Sequence, residues 1–201
     1  MTIRPLYLER DLDSVMDIWL SSNLDTHDFI PEKYWRDALD SVREQISDGS
    51  SEVVVFTRPG ENPREDEVVG FYGMQGKYLA GLFVREDCRD GGIGGQLIEH
   101  AKKVHRGIEL DVYTLNPRAA QFYYYHGFKV HGMSLDIPTG RMQMHLEWGD
   151  LSNDESSGPN SQEPAGKDFD TLSKLEAMRS ELGQAAFDKL IEQIDNRNKE
   201  D

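Results

Sequence analysis

The chain of 201 residues holds a single cysteine, Cys88, and nowhere approaches the run of about eighteen apolar residues that a bilayer-spanning helix requires. A lone thiol excludes an internal disulfide. With no CxxC companion it also excludes a thiolate zinc site, so no metal is expected. Basic residues are scarce as well: 22 Lys and Arg stand against 37 Asp and Glu, for a formal net charge of −15. A surface of that sign repels phosphate backbones, which argues against nucleic acid as the main partner and for a basic small molecule or a lysine-bearing protein. The opening Met1-Thr2-Ile3-Arg4 lacks the apolar stretch of a signal peptide. A cytoplasmic protein with no membrane partner is the expectation.

The composition changes character once. "GDLSNDESSGPNSQEPAGKDFD", residues 149–170, is poor in aliphatics and rich in Ser, Gly, Pro and acids, which reads as a chain unable to bury a core. The expected organisation is therefore one domain over 1–149, a flexible acidic linker over 150–168 and a helical extension over 169–201. In the extension Leu172, Leu175, Met178 and Leu182, then Phe187, Leu190, Ile191 and Ile194, recur at helical spacing, with Gly183 between the two runs. Such a helical hairpin packs on its own domain, on a second copy in a homodimer, or on another protein partner.

Before the seam the patterns are those of a mixed α/β domain. "TIRPLYLE" reads as a strand. "DLDSVMDIWLSSNL" places Leu12, Val15, Ile18 and Trp19 on one helical face, with Asp11 as the expected N-cap. Pro31 opens a second amphipathic helix carrying Tyr34, Trp35, Leu39, Val42 and Ile46. "EVVVFT", "EVVGFYGM" and "YLAGLFV" follow as an antiparallel meander joined by the polar "RPGENPRED" and by Gln75-Gly76-Lys77. Next come a helix from "GIGGQLIEHAKKVH", a strand from "GIELDVYT", a short helix from "PRAAQFYYYH" and a closing hairpin from "FKVHGMSL" and "RMQMHLEW". The order βααβββαβαββ predicts an α/β fold around one mixed, mostly antiparallel central sheet with flanking helices.

The chemistry-bearing stretch is "REDCRDGGIGGQL", residues 85–97, with four glycines ahead of a helix. A dinucleotide loop needs a third small residue where the helix packs on the sheet, and here Leu97 occupies that place. It also needs to follow its strand directly, whereas Val84 lies eight residues before Gly92. Asp111, about twenty residues on, only imitates the ribose acid. No Gly-Lys-Ser/Thr follows, so a phosphate loop of the Walker type is excluded as well. What remains is Arg89-x-x-Gly92-x-Gly94 after an apolar strand and at a helix N-terminus. Outward backbone N–H groups and the helix dipole suit a pyrophosphate, and glycine lets it approach without a Cβ.

These residues resemble the GNAT superfamily of acetyl-CoA-dependent N-acetyltransferases, whose signature Arg/Gln-x-x-Gly-x-Gly/Ala follows a strand such as Leu82-Phe83-Val84. A second stretch, "LDVYTLNPRAAQFYYYHGF", carries the family pattern Asn116, Ala119, Phe122-Tyr123 and Gly127-Phe128. The resemblance covers roughly residues 2–148 and extends to a bacterial branch of small protein, peptide and aminoglycoside acetyltransferases through "IWLSSNLDTHDFIPEKYW" and "TGRMQMHLEW".

The resemblance implies transfer of an acetyl group from acetyl-CoA to a primary amine, either a protein lysine or N-terminus or a small cationic amine. It implies that the backbone of Leu82, Phe83 and Val84 aligns the pantetheine arm, that Arg89, Asp90, Gly91, Gly92, Ile93, Gly94 and Gly95 hold the pyrophosphate, and that Asn116 meets the amide arm. It makes Tyr123 the proton donor to the leaving thiolate and Asp111 the candidate base, with Glu109, His27, His145 and Glu147 as other titratable groups. The acceptor side is implied for His27, Phe29, Tyr34 and Trp35. One departure stands out: Asp90 and Gly91 occupy places where the family usually carries Arg or Lys, leaving Arg89, Lys102, Lys103 and Arg118 to compensate. Two rival classes remain at this stage: a regulatory or interaction protein that binds acyl-CoA without turnover, and a nucleotide-binding reductase.

Overall fold

A computed structural model of the chain describes residues 1–60 and 66–151. The expected linker from residue 152 on, the helical extension and the middle of the "RPGENPRED" turn lie outside the described residues. The elements are β1 (Thr2–Pro5), α1 (Leu8–Thr26), α2 (Glu32–Ser47), β2 (Glu52–Pro59), β3 (Asp66–Gln75), β4 (Tyr78–Val84), a 3-10 turn (Glu86–Cys88), α3 (Ile93–Val104), β5 (Gly107–Tyr113), α4 (Pro117–Tyr125), β6 (Lys129–Asp136) and β7 (Arg141–Gly149). The seven strands form one mixed sheet in the order β1-β2-β3-β4-β5-β7-β6. No helix among the described residues is long and apolar enough to cross a membrane.

The contacts divide the chain into two compact units, one of Met1–Leu110 with the residues from Glu147, the other of Asp111–Leu146. In the first, β2 and β3 are buried on both faces: every residue from Val53 to Thr57 and from Val68 to Met74 is inside. This explains why both read as near-continuous apolar runs instead of alternating ones. β1, β2, β3 and β4 pair antiparallel in turn, with Val54 opposite Tyr72 and Tyr72 opposite Leu82. β4 then meets β5 in parallel at Tyr78 opposite Glu109. On β5 the alternation is clean: Ile108, Leu110 and Val112 are buried, while Glu109, Asp111 and Tyr113 are half-buried on the other face.

The start of α1 corrects the sequence reading. The helix begins at Leu8 with Tyr7 as N-cap, so Asp11 lies inside the first turns. It is 1% exposed and accepts from Arg4 at 2.6 and 3.1 Å, from Arg10 Nε at 3.0 Å and from the Tyr7 backbone N–H at 2.8 Å. An aspartate ahead of an apolar periodicity resembles a cap. Here Arg4 on β1 draws its carboxylate inward, where it anchors the strand to the helix and still satisfies one N-terminal N–H.

Candidate functional site

In the first unit the glycine loop is launched from a charged turn. Arg85 donates its backbone N–H to Val69 O at 2.9 Å. Its guanidinium grips Asp87 at 2.6 and 2.9 Å and also bonds Glu67. Arg58 holds the same Glu67 at 2.9 Å. The Arg85 hydrogen bond pulls the Asp87 carboxyl down to about 2, and Arg85 followed by Arg58 lowers Glu67. Arg89 bonds the Val84 carbonyl at 3.1 Å through Nε and pairs with Asp25 on α1. A cleft lies over this turn, lined by Ser21, Arg85, Glu86, Asp87 and Arg89. None of the pairings of Arg58, Glu67 and Arg85 was legible in the sequence, because they join β2, β3 and the turn after β4.

Beyond Arg89 the backbone changes hand. Asp90 has φ 63° and Gly92 φ 76°, and Gly92 is the N-cap of α3. A Cβ built on Gly92 would meet nothing within 4 Å, so the space over the helix start is open. The first amides of α3 have no carbonyl partner within the helix, as at any helix start, and they lie beside that space. Asp90, Gly91 and Gly92 are exposed, Gly94 and Gly95 are half-buried, and Ile93 turns inward to anchor the turn. Of the four cations named as compensating for Asp90, two are committed elsewhere. Arg89 is tied as described, and Lys102 pairs with Glu99 at 2.9 Å and lies over the Trp148 ring. On β4, Leu82, Phe83 and Val84 are half-buried, and the Phe83 ring packs on Phe71 at 5.1 Å.

The same unit brings His27, Phe29, Tyr34 and Trp35 together where α1 gives way to α2. His27 stacks on Trp35 with centroids 5.4 Å apart, meets Phe29 edge-on at 5.6 Å and places Nδ1 3.1 Å from Asn23 Oδ1. Burial lowers the His27 imidazole to about 4, so it is neutral at physiological pH. Tyr34 meets Trp35 edge-on at 5.1 Å.

In the second unit the Asn116 side chain caps α4, accepting the Ala119 N–H at 3.0 Å, and Pro117 occupies the first turn. The three consecutive tyrosines that follow separate by helical geometry. Tyr125 is 77% exposed while Tyr123 and Tyr124 are buried. Tyr124 donates to Met144 Sδ at 3.5 Å. The Tyr123 ring packs against Phe122 at 5.1 Å and Phe128 at 5.3 Å, and its hydroxyl has no hydrogen-bond partner among the described residues. Desolvation raises the Tyr123 hydroxyl above the ordinary phenol range, so it stays protonated. Asp111 on β5 and His145 on β7 form a pair, Oδ1 to Nδ1, at 3.2 Å. Among the described residues no three His, Cys, Asp or Glu side chains converge as metal ligands.

Residues 52–130 match the model of the acetyltransferase (GNAT) domain. The peptidyl-lysine N-acetyltransferase YiaC of Escherichia coli K12 is 31% identical over 121 residues, 60% of this chain and 78% of the relative. The peptidyl-lysine N-acetyltransferase YjaB of Salmonella typhimurium is 34% identical over 122 residues, 61% and 79% of the two chains. Among solved structures, apo YjaB from Escherichia coli superposes with a TM-score of 0.60 at 30% identity, over 73% of this chain and 95% of its own. An aminoglycoside 6'-N-acetyltransferase complexed with coenzyme A shares the fold, with a TM-score of 0.54 at 18% identity over 74% and 97%.

Proposed function

From the premise that this chain belongs to the GNAT family of N-acetyltransferases, we propose that it moves the acetyl group of acetyl-CoA directly onto a lysine side-chain amine of a peptide or protein. The observation that carries this reading is the 31% and 34% identity to peptidyl-lysine N-acetyltransferases, over 78% and 79% of their lengths. The net charge of −15 favours a cationic acceptor in the same direction.

The residues divide the work as follows. The backbone N–H groups from Asp90 to Gly95 take the pyrophosphate at the start of α3, with Gly92 leaving room for it. The backbone of Leu82, Phe83 and Val84 aligns the thioester arm, and a main-chain N–H there receives the charge that builds on the acetyl carbonyl oxygen. Asn116, which accepts the Ala119 N–H as the cap of α4, meets the amide arm and fixes the entry to the helix that bears Tyr123. The amine nitrogen attacks the thioester carbon, so a C–N bond forms as the C–S bond breaks. The amine proton passes to the Asp111–His145 pair, and the departing thiolate takes the proton of Tyr123 Oη, which solvent replaces. Positioning of two reactants contributes about 7–11 kcal/mol to such transfers, so few reactive side chains are required.

Release of free thiol from acetyl-CoA, measured across lysine peptides, polyamines and aminoglycosides, tests the reading. Turnover greatest with lysine peptides is expected. Turnover confined to polyamines or aminoglycosides overturns the acceptor assignment, and no thiol release with any amine overturns the reaction.

A further inference from the structure

Arg58, Glu67, Arg85 and Asp87 close a ring of alternating charge at the root of the glycine loop. Arg58 on β2 and Glu67 on β3 lie directly opposite in the antiparallel ladder, and Arg58 Nε donates to Glu67 Oε2 at 2.9 Å. Arg85, the first residue after β4, takes Glu67 Oε1 through Nη1. It spans the Asp87 carboxylate through Nε at 2.6 Å and Nη2 at 2.9 Å. Asp87 completes the ring 3.7 Å from Arg58 Nη2. The buried Cys88 sits beside it, with Sγ 3.2 Å from Arg58 Nη1 and 3.3 Å from Asp87 Oδ1. Glu67 bonds both guanidinium groups, one through each oxygen, and is the side-chain link from the sheet to the turn.

These side chains are 28% to 58% exposed, and ion pairs in such contact with solvent add little to stability. A bidentate, mutually bonded set instead fixes geometry. Two guanidinium charges balance two carboxylates, so the ring adds little field of its own. What it holds is the turn from Arg85 to Arg89. Immediately beyond that turn Asp90, Gly91 and Gly92 are exposed, and the next buried anchor is Ile93. The direction of the loop N–H groups is therefore set by the turn behind them and by Ile93 ahead. A phosphate cradle made of backbone N–H groups binds by orientation, and Asp90 brings it no cation.

We propose that Glu67 is a positioning residue for the cofactor: through Arg85 it fixes the turn that aims the glycine-loop N–H groups at the pyrophosphate of acetyl-CoA. This role rests on the acetyl-transfer reading, which supplies the ligand. Glu67 sets affinity and stays outside the chemistry. Leu82, Phe83 and Val84 are held separately, opposite Tyr72, Phe71 and Gly70 of β3, so the thioester arm keeps its place when the ring opens.

Calorimetry with CoA, and kcat and KM for acetyl-CoA with a lysine peptide, are measured for the wild type, Glu67→Gln and Asp87→Asn. Both substitutions keep the shape of the side chain and remove its charge. In Glu67→Gln the Kd for CoA and the KM for acetyl-CoA should rise roughly three- to tenfold, with kcat within about twofold of the wild type. Asp87→Asn should act in the same direction by less. In an Arg85→Gln background, Glu67→Gln should cost nothing further.

The sign of the change separates position from charge. Removing either carboxylate leaves the ring positive beside an anion site, so a purely electrostatic role tightens CoA binding, most of all at low salt. Tighter or unchanged binding in Glu67→Gln overturns the proposal, whether or not Tm falls. A fall in kcat at unchanged KM does so too, as does a full loss in the Arg85→Gln background. If Glu67→Gln does not fold, Asp87→Asn carries the decision alone. A wild type that fails to bind CoA defeats the acetyl-transfer reading and this one with it, whereas CoA binding indifferent to Glu67 defeats this one alone.

Discussion

Nδ1 of His145 on β7 stands 3.2 Å from Oδ1 of Asp111 on β5, and the two side chains keep 32% and 22% of their surface. A carboxylate bonded to one imidazole nitrogen fixes the ring orientation and stabilises a proton that the ring takes up. We therefore expect the two to work as a unit, Asp111 orienting and His145 receiving the amine proton. Asp111→Asn and His145→Gln should each lower kcat about a hundredfold, within the usual range for general acid–base groups. The double variant should be no worse than the poorer single one. Steady-state rates of the three variants check this, and losses that multiply would show that the residues act separately.

Tyr123 presents the complementary case. Its hydroxyl is held protonated by burial, and its ring is fixed by Phe122 and Phe128. Tyr123→Phe preserves that packing and removes no hydrogen bond found among the described residues. Tm and the KM for acetyl-CoA should stay unchanged while kcat falls by about a hundredfold or more. A drop in Tm with kcat preserved would reduce Tyr123 to a packing residue.

Asp90 places a negative charge and a non-glycine residue at φ 63° in the loop proposed to hold an anion. Asp90→Asn removes the charge while keeping a residue that tolerates this conformation, and Asp90→Gly removes the conformational cost as well. Both should lower the KM for acetyl-CoA several-fold, with Asp90→Gly also raising Tm. The gain should shrink with added salt if it is electrostatic. Gly92→Val works in the opposite direction, since φ 76° strains any side chain and its Cβ projects into the open space. Acetyl-CoA binding should be lost, and calorimetry on the folded variant decides it.

What could be read from the sequence follows from how local each signal is. The valine-rich β2, the buried β3 and the amphipathic α2 and α3 declare themselves through periodicity, so the order of elements was legible. The turn through Gly92 into α3 and the Asn116 start of α4 were legible too as local structure, because each lies within one short segment. Pairings between distant segments were not. Asp111 and His145 are 34 residues apart, and Arg89 and Asp25 are 64 apart. Nothing in a linear pattern sets the strand register or helix docking that joins them. The start of α1 failed for the same reason: the partner that draws Asp11 inward is Arg4, on a different element. Charge counting also stopped short of the site, since Arg89 and Lys102 are present but already engaged.

The neutral, half-buried His27 makes stability depend on pH in a definite direction. Its imidazole is lowered from 6.5 to about 4 by desolvation, so between those values the unfolded chain binds a proton that the folded chain does not. Stability therefore rises with pH across this window. The contribution is fully present above about pH 6.5 and is lost as pH falls toward 4, amounting to a loss of about 2 kcal/mol at pH 5. Carboxylates titrate in the same range, so the wild type alone does not isolate the effect. His27→Gln removes the titration while retaining a polar group beside Asn23. Urea unfolding of both proteins at pH 7 and pH 5 should show a smaller loss in the variant. Equal losses would mean that His27 takes up its proton in the folded state without cost, and that the stacking on Trp35 accommodates the imidazolium.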